Sequence, residues 1–319
     1  MQYATLTSIN KRVSRLVYGT NSAVCSPDPE IVFDCLDKAW AHGFTVFDTA
    51  NAYGRSEENI GLWMDKRGLR DQVVLLDKGC NPGMHGSPDV MSPQLLYDQT
   101  AESCRRLRTD YLDLYVLHRD DPTHPVGPII DTLNDLKARG VIHRFGASNW
   151  TRERIAEANA YAAEHDMEGF TAVSPAFNLA EIVEDPWGGS VSLCGAAHRA
   201  DREWYLTNNI PVLPYSSLGR GFFSGKFRTD GSAPIEQCIS QGSIWEYDCP
   251  VNRRRLSAAE AVARSRGASV SQIAIAWLMS QPLDVFPIVS PSTEAHMTEN
   301  IGGLHLELTP EELRLLACE

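Results

Sequence analysis

The chain contains, within its first quarter, the run Val73-Val74-Leu75-Leu76-Asp77-Lys78, an apolar stretch that ends on a charged side chain. The same arrangement occurs before it, where residues 45–49 end in Phe47-Asp48-Thr49, and after it in Tyr111-Leu112-Asp113-Leu114-Tyr115-Val116-Leu117-His118. Short β-rich runs of this kind predict strands. Polar side chains at the ends of successive apolar strands are typical of an active site.

Eight such runs alternate with amphipathic helices. The candidate strands are 15–19, 45–49, 73–78, 112–118, 143–148, 171–175, 211–215 and 285–289. The candidate helices between and after them are 29–43, 58–66, 93–107, 129–139, 152–165, 194–207 and 258–280. Strand, helix and strand in this order predict parallel pairing with right-handed crossovers. The expected fold class is α/β, a (β/α)8 TIM barrel formed as one domain over residues 1–319, and an open eight-stranded sheet is the alternative.

Two connections are too long for ordinary loops, and both follow predicted strands: residues 181–193 and 227–250. Long loops in compact domains are usually lids or binding loops, so we expect both at the C-terminal face of the barrel. Near the end of the chain, Thr309-Pro310-Glu311-Glu312 combines a capping threonine, a first-turn proline and an acid three residues after the cap. This pattern predicts an extra C-terminal helix.

Composition narrows the classes of partner. The chain has 29 basic and 41 acidic residues, a formal net charge of −12, without a basic tract, which argues against nucleic acid or an anionic membrane as partner. No apolar run reaches the roughly 18 residues that cross a bilayer, and the first ten residues lack signal-peptide zones, so we expect a cytoplasmic protein. The eight cysteines form no Cys-x-x-Cys pair, which favours reduced thiols and no zinc site. Oligomeric state cannot be read from these features.

Five motifs together resemble the aldo-keto reductase family over essentially the whole chain. They are Phe47-Asp48-Thr49-Ala50 with Tyr53-Gly54 and Ser56-Glu57; Lys78; Leu112-Asp113-Leu114-Tyr115 with His118; Gly146-Ala147-Ser148-Asn149-Trp150; and Pro214-Tyr215-Ser216-Ser217-Leu218-Gly219-Arg220-Gly221. Each motif alone is weak, since a surface turn or a solvated strand end also explains it. Their joint order and their common position at strand ends favour the functional interpretation.

The resemblance implies that the chain reduces a small-molecule carbonyl with hydride from a nicotinamide cofactor. Tyr53 would protonate the carbonyl oxygen, and Lys78 would lower the tyrosine pKa from its usual value of about 10. Asp48 would hold Lys78 charged. His118 would donate a hydrogen bond to the substrate oxygen, a contribution of order 3 kcal/mol.

The resemblance also implies a cofactor site. Ser148 and Asn149 would bind the nicotinamide carboxamide, with Ser174 in the place of a more usual glutamine, and Tyr215 would stack on the ring. The run after Tyr215 would offer backbone amides to the pyrophosphate, with Lys226 as counter-charge. The complete expected set is Gly19, Thr20, Ser148, Asn149, Ser174, Tyr215, Ser216, Ser217, Leu218, Gly219, Gly221, Lys226, Ser290, Ser292, His296, Glu299 and Asn300.

The run after the last predicted strand differs from the family pattern. Residues 290–300 contain neither lysine nor arginine, and His296 stands where an arginine is common. A neutral histidine neutralises little of the charge of a 2′-phosphate. The family favours NADP(H), and this run predicts a weaker preference, with dual use of NAD(H) or NAD(H) preference.

Two other function classes stay open. Some barrels of this family are cofactor-binding interaction subunits with slow catalysis. A metal-dependent hydrolase on the same barrel would need clustered histidines and acids, and His118-Arg119-Asp120-Asp121 is its nearest approximation. For the enzyme, Trp150 and Trp187 are candidate substrate contacts, and they favour a sugar or other polyhydroxylated carbonyl; anchoring of loops by these aromatics is the alternative.

Overall fold

The structure is a computed structural model that describes residues 1–81, 91–185 and 187–318. The chain divides into two compact units. The first unit spans residues 3–174, and the second consists of residues 1–2 with residues 175–319. Each unit carries part of the residue set predicted from the sequence.

The first unit begins with an antiparallel hairpin that the sequence pattern did not predict, β1 (Tyr3–Leu6) paired with β2 (Lys11–Ser14). Five parallel strands follow in the spatial order of the sequence. They are β3 (Val17–Gly19), β4 (Val46–Asp48), β5 (Val74–Gly79), β6 (Leu112–Leu117) and β7 (Ile142–Ala147). Their apolar residues are buried throughout β4, β5 and β6, as the continuous apolar runs predict for parallel strands.

Register places the carboxyl ends of these strands side by side. Asp48 pairs with Gly19 on one side and with Leu76 on the other, and Lys78 pairs with Val116. Because neighbouring parallel strands end at the same edge, polar residues at the ends of β4, β5 and β6 become neighbours in space.

Helices α1 to α5 connect the strands of the first unit. They are α1 (Pro29–Ala41), α2 (Ser56–Arg67), α3 (Pro93–Leu107), α4 (Val126–Ala138) and α5 (Arg152–Glu164). Asp28 caps α1: its side chain accepts a hydrogen bond from the Glu30 amide, and proline occupies the first turn.

In the second unit, the predicted strands are short stretches with parallel contacts. Ala176 bridges to Tyr215, Val212 bridges to Val285, and β8 comprises Ile288–Val289. The amide of Ile288 donates to the carbonyl of Pro214 at 3.0 Å. Strand segments near 176, 212–215 and 285–289 are therefore parallel neighbours, as predicted.

The helices of the second unit are α6 (Arg199–Thr207), α7 (Ile235–Cys238), α8 (Gln241–Tyr247), α9 (Pro250–Arg266), α10 (Val270–Met279), α11 (Glu294–Gly303) and α12 (Pro310–Ala317). The prediction of one helix over 258–280 was wrong. Gly267 has a φ of +61°, and Ser269 forms a capping box with Gln272, so one helix ends and another begins there. The predicted capping box at Thr309 is confirmed.

The long segment 227–250 contains the short helices α7 and α8 instead of an irregular loop. The other long segment, 181–193, has no helix or strand among its described residues, and Pro186 lies outside the described part of the chain. All eight cysteines are free, in agreement with the expectation of reduced thiols. Within the described ranges, helices are too short or too polar to cross a membrane.

Candidate active site

The four predicted catalytic side chains all lie at the strand ends of the first unit. Asp48 is the last residue of β4, Lys78 lies at the end of β5, and His118 directly follows β6. Tyr53 lies in the turn after β4, immediately before α2, where its amide donates to the carbonyl of Ala50 at 2.9 Å.

These side chains are neighbours in space. Lys78 Nζ donates a short hydrogen bond to Asp48 Oδ1 and lies 5.2 Å from the centre of the Tyr53 ring. The Tyr53 ring meets the His118 ring edge to face, with centroids 5.7 Å apart. A phenol, an ammonium, a carboxylate and an imidazole therefore form one cluster.

Burial and the neighbouring charges shift the pKa values of these side chains in opposite directions. Burial lowers the pKa of Lys78, but the adjacent Asp48 carboxylate, with Tyr53 beside it, outweighs burial, so the Lys78 pKa is raised and the ammonium stays charged. Burial raises the pKa of the Asp48 carboxyl, and Lys78 offsets part of that rise. For Tyr53, burial raises the pKa more than Lys78 lowers it. Lys78 thus lowers the Tyr53 pKa as predicted, but burial raises it by more. The Tyr53 pKa is therefore raised overall, whereas the resemblance implied that it would be lowered.

His118 is a neutral imidazole in this setting. Burial lowers its pKa well below the usual value, and the positive charges of Lys78 and Arg119 lower it further. Its amide donates to the carbonyl of Gly79 at 2.7 Å, which fixes the backbone at the end of β6. Nδ1 of the ring has no hydrogen-bond partner within the described residues. A neutral ring that carries an N–H can donate to a substrate oxygen without competing with Lys78 for charge.

The predicted carboxamide group lies beside this cluster, at the end of β7. The Asn149 amide nitrogen donates to the carbonyl of His118 at 3.0 Å and to Ser148 Oγ at 3.1 Å. Ser148 Oγ in turn donates to the carbonyl of Ser174 at 2.6 Å. Ser174 is 1% exposed, and its own hydroxyl has no partner in the described part of the chain. A buried hydroxyl without a partner is a place where a ligand amide fits.

Gly19 and Thr20 lie at the end of β3, next to Asp48. Thr20 Oγ1 donates to the carbonyl of Asp48 at 2.7 Å and lies 2.6 Å from Ser56 Oγ. Because the Thr20 side chain is fully buried, it supports the backbone of Asp48 from the neighbouring strand.

Trp150 is only 1% exposed, which differs from the expectation of a substrate contact. Its indole N–H donates to the carbonyl of Arg119 at 3.2 Å, and its ring packs against Phe170 with centroids 5.0 Å apart. This placement gives Trp150 a supporting role for the segment that follows His118, since no face of its ring is open to a ligand.

In the second unit, Tyr215 belongs to a cluster of two aromatic rings and one guanidinium, and its ring meets the Trp187 ring edge to face. The Trp187 ring, half exposed, lies 6.5 Å from the Tyr215 ring, and the Arg220 guanidinium lies 4.4 Å from the centre of the Trp187 ring. Arg220 Nη1 donates to the buried Glu246 at 2.8 Å. Sequence reasoning named Trp187 and Tyr215 but missed Arg220 and Glu246 as the groups that hold Trp187 in place.

The remaining predicted cofactor residues of the second unit lie in two segments. In the first, Gly219 and Gly221 adopt φ of +57° and +96°, which glycine allows without strain, and the hydroxyl of Ser217 donates to the carbonyl of Pro214 at 3.1 Å. Leu218 and Ser216 lie in the same turn, and Lys226 is exposed just after it.

In the other segment, Ser292 Oγ lies 3.3 Å from Nδ1 of His296 near the start of α11. Glu299 accepts a hydrogen bond from Ser271 at 2.6 Å, Asn300 is buried, and Ser290 is exposed. The described residues of this segment contain no Lys or Arg. Across the described ranges, no group of three or more His, Cys, Asp or Glu is placed to hold a metal ion.

A parallel α/β sheet with an ammonium, a phenol, a carboxylate and an imidazole at its strand ends defines an oxidoreductase class of site. The comparisons agree: residues 15–317 match the model of the Aldo/keto reductase family. The chain belongs to this family and is an oxidoreductase of the carbonyl-reducing kind, which uses NAD(P)H.

Among relatives, norsolorinic acid reductase B of Aspergillus parasiticus is 29% identical, with 90% of this chain and 74% of that protein covered. Aryl-alcohol dehydrogenase [NADP(+)] of Phanerodontia chrysosporium is 28% identical, with 91% and 76% covered. A probable voltage-gated potassium channel subunit beta of Oryza sativa subsp. japonica is 28% identical, with 98% and 94% covered.

The thermostable aldo-keto reductase Tm1743, solved with the inhibitor epalrestat, superposes with a TM-score of 0.75 at 23% identity, over 100% of this chain and 99% of that one. This likeness confirms the predicted fold class, an α/β fold of the (β/α)8 kind.

Proposed function

We propose that this protein reduces an aldehyde or ketone to an alcohol with hydride from NAD(P)H, with Tyr53 as the proton donor. The observation that carries the proposal is the Lys78 ammonium, which is buried between the Asp48 carboxylate and the Tyr53 ring. A reduced nicotinamide, when bound, supplies the hydride. The residues described here supply the proton and the electrostatic setting.

Each side chain has a distinct part in this proposal. As charge develops on the carbonyl oxygen, the Tyr53 hydroxyl protonates it, and Lys78 stabilises the tyrosinate that remains. Burial raises the pKa of Tyr53, so the phenol is protonated before the reaction and ready to donate. His118 is neutral and orients the same oxygen through an N–H.

The first-unit residues fit a nicotinamide carboxamide. Ser174 offers a buried hydroxyl that lacks a partner within the described residues, beside the Ser148 and Asn149 pair. Family membership supports the further cofactor residues, which stay proposals: Gly19, Thr20, Tyr215, Ser216, Ser217, Leu218, Gly219, Gly221, Lys226, Ser290, Ser292, His296, Glu299 and Asn300.

A turnover assay tests the proposal directly. Oxidation of NADH and of NADPH is followed with simple aldehydes, ketones, sugars and aryl carbonyls, and Tyr53→Phe is compared with the wild type. We expect Tyr53→Phe to lose at least about a hundredfold in turnover while it still binds the cofactor, because the proton donor is gone. Tyr3→Phe is the matched control, since that hydroxyl is exposed and donates to the carbonyl of Gly43. Full turnover by Tyr53→Phe would refute the assignment.

The substrate arms of this screen separate two classes. One relative is named an aryl-alcohol dehydrogenase, which supports aryl carbonyls as the substrate class. Trp187, half exposed beside Tyr215, offers a flat face that suits either an aryl ring or a sugar ring. Turnover with one class and not the other identifies the substrate class.

A second candidate is a cofactor-binding subunit of a larger assembly, with vestigial activity. The relatives named as potassium channel beta subunits support it. Tight NADPH binding together with negligible turnover on every class of carbonyl would favour this candidate. The cytoplasmic location and the single-domain organisation stay predictions.

A further inference from the structure

A buried ion pair lies behind the cluster of catalytic side chains. Glu57, the second residue of α2, is fully buried, and its Oε2 accepts a hydrogen bond at 2.9 Å from Nη1 of Arg106, near the end of α3. Arg106 also donates a short hydrogen bond to Glu102 on its own helix. The Arg106 side chain is 17% exposed, so this guanidinium is held mainly by protein groups.

The same guanidinium contacts the turn that carries Tyr53. Arg106 Nη1 donates to the carbonyl of Asn51 at 3.3 Å. On the other side of this residue, the Asn51 amide donates to the carbonyl of Lys78 at 2.8 Å. Asn51 is therefore held between α3 and β5, midway between Asp48 and Tyr53.

The packing of α2 on α3 leaves Arg106 little freedom to move. A Cβ atom at Gly61 would come within 2.5 Å of the carbonyl oxygen of Arg106, so the two helices are in backbone contact at this point. An arginine anchored at its backbone and at its guanidinium transmits the position of α3 to the turn.

Stability alone gives little reason for this arrangement. Burying a charge pair is costly, and such pairs are often replaceable by apolar residues without loss of stability. Unlike an apolar pair of the same size, Arg106 also donates a hydrogen bond to the carbonyl of Asn51.

We propose that the Arg106–Glu57 pair positions Tyr53 for proton transfer by holding the turn at Asn51 against β5. This inference rests on the proposed function of Tyr53. Arg106 touches neither Tyr53 nor Lys78 through its side chain, so it is a positioning residue, and its effect passes through the turn.

The test compares Arg106→Met and Arg106→Lys in the wild type and in Tyr53→Phe. We expect Arg106→Met to lower kcat about tenfold to a hundredfold with little change in KM for the cofactor, because small misplacements of reacting groups cost that much. Arg106→Lys keeps a charge for Glu57, but its side chain cannot reach Asn51 at the same time. Its kcat should therefore lie between that of the wild type and that of Arg106→Met. In the Tyr53→Phe background, Arg106→Met should change the residual rate less than threefold, as residues that act through one group are non-additive.

Asp65→Asn is the matched control. It breaks the Arg108–Asp65 pair, which also joins α3 to α2 at 3.0 Å but is exposed and does not touch the turn. Three results would each overturn the positioning role. The first is a wild-type kcat in a folded Arg106→Met variant. The others are an equal loss of kcat for Arg106→Met in the wild-type and Tyr53→Phe backgrounds, and an equal loss in Asp65→Asn. If Arg106→Met does not fold, Arg106→Lys carries the same comparison. If Tyr53→Phe is itself fully active, the proposed function fails before the positioning role is reached.

Discussion

Lys78 and Asp48 form an ion pair whose side chains are only 2% and 5% exposed. Water contributes little to this pair, so each charge depends on the other. An uncompensated charge at such a depth is strongly disfavoured and responds by a change in protonation. The catalytic proposal therefore depends on Asp48 as much as on Lys78.

Asp48→Asn is expected to lower the pKa of Lys78, because burial lowers it and the carboxylate that outweighs burial is removed. If the ammonium is needed for turnover, the alkaline limb of the kcat profile against pH moves to lower pH. We expect kcat near neutral pH to fall at least about tenfold. Asp34→Asn, which breaks the exposed pair of Lys38 and Asp34, is the control. An unchanged alkaline limb in a folded Asp48→Asn variant would contradict the role of the pair.

His118 should remain neutral over the working range of pH. Burial and the nearby positive charges hold its pKa well below the value of about 6.5 that an unfolded chain shows. The folded state therefore takes up its proton only at lower pH than the unfolded state, and its contribution to stability is lost as pH falls below about 6.5. Ring-labelled protein tests this by NMR, with the His118 signal assigned through His118→Gln. The exposed His305 provides the internal comparison. A His118 signal that titrates near pH 6.5 would show the imidazole to be solvated.

Asp77 is a buried acid for which the catalytic proposal has no use. It lies in β5 and is fully buried. Burial raises its pKa well above the usual range, and the charge of Glu57 raises it further. The folded state therefore keeps a proton that the unfolded chain releases near pH 4, and stability falls as pH rises from about 4 through the raised pKa.

Asp77→Asn removes this titration and keeps the shape of the neutral acid. We expect it to match the wild type near pH 4 and to have the higher free energy of unfolding near pH 8, because the wild type alone must keep a buried proton there. Urea unfolding at a series of pH values measures this difference. Asp71→Asn, at an exposed position in the turn that precedes β5, is the control. Parallel curves for Asp77→Asn and wild type would show that Asp77 is ionised in the folded state.

The strand ends were predictable from the sequence, and the contacts behind them were not. Asp48, Lys78 and His118 follow apolar runs, and parallel strands bring such positions to one edge whatever the details of packing. The contact of Arg106 with Glu57 depends instead on the register of two helices over a separation of 49 residues. No local pattern encodes that register. Asp77 shows the same limit, because an aspartate near the end of an apolar run reads as a solvated residue until packing shows that it is buried.

Some helix boundaries were likewise predictable from the sequence, and one was not. Thr309 and Asp28 were recognisable as caps because capping is local and each residue type has its own hydrogen-bonding role. The break between α9 and α10 was also marked locally, by Gly267 and Ser269, but the apolar pattern continued on both sides. At this boundary the glycine and the capping serine are better indicators of the helix break than the apolar periodicity is.

His296, near the start of α11, is the residue that we propose to set cofactor preference. Its side chain contacts Ser292, and the described residues of segment 290–300 offer no basic side chain to a 2′-phosphate. We expect the wild type to favour NADPH over NADH by less than about a hundredfold, because no guanidinium is present to pair with the extra phosphate charge. His296→Arg should then lower KM for NADPH about tenfold and leave KM for NADH unchanged. Thr298→Arg adds the same charge at an exposed position two residues further on, and it separates a specific contact from a general gain of positive charge. A hundredfold or greater preference for NADPH in the wild type, or equal gains in the two variants, would show that another part of the chain recognises the phosphate.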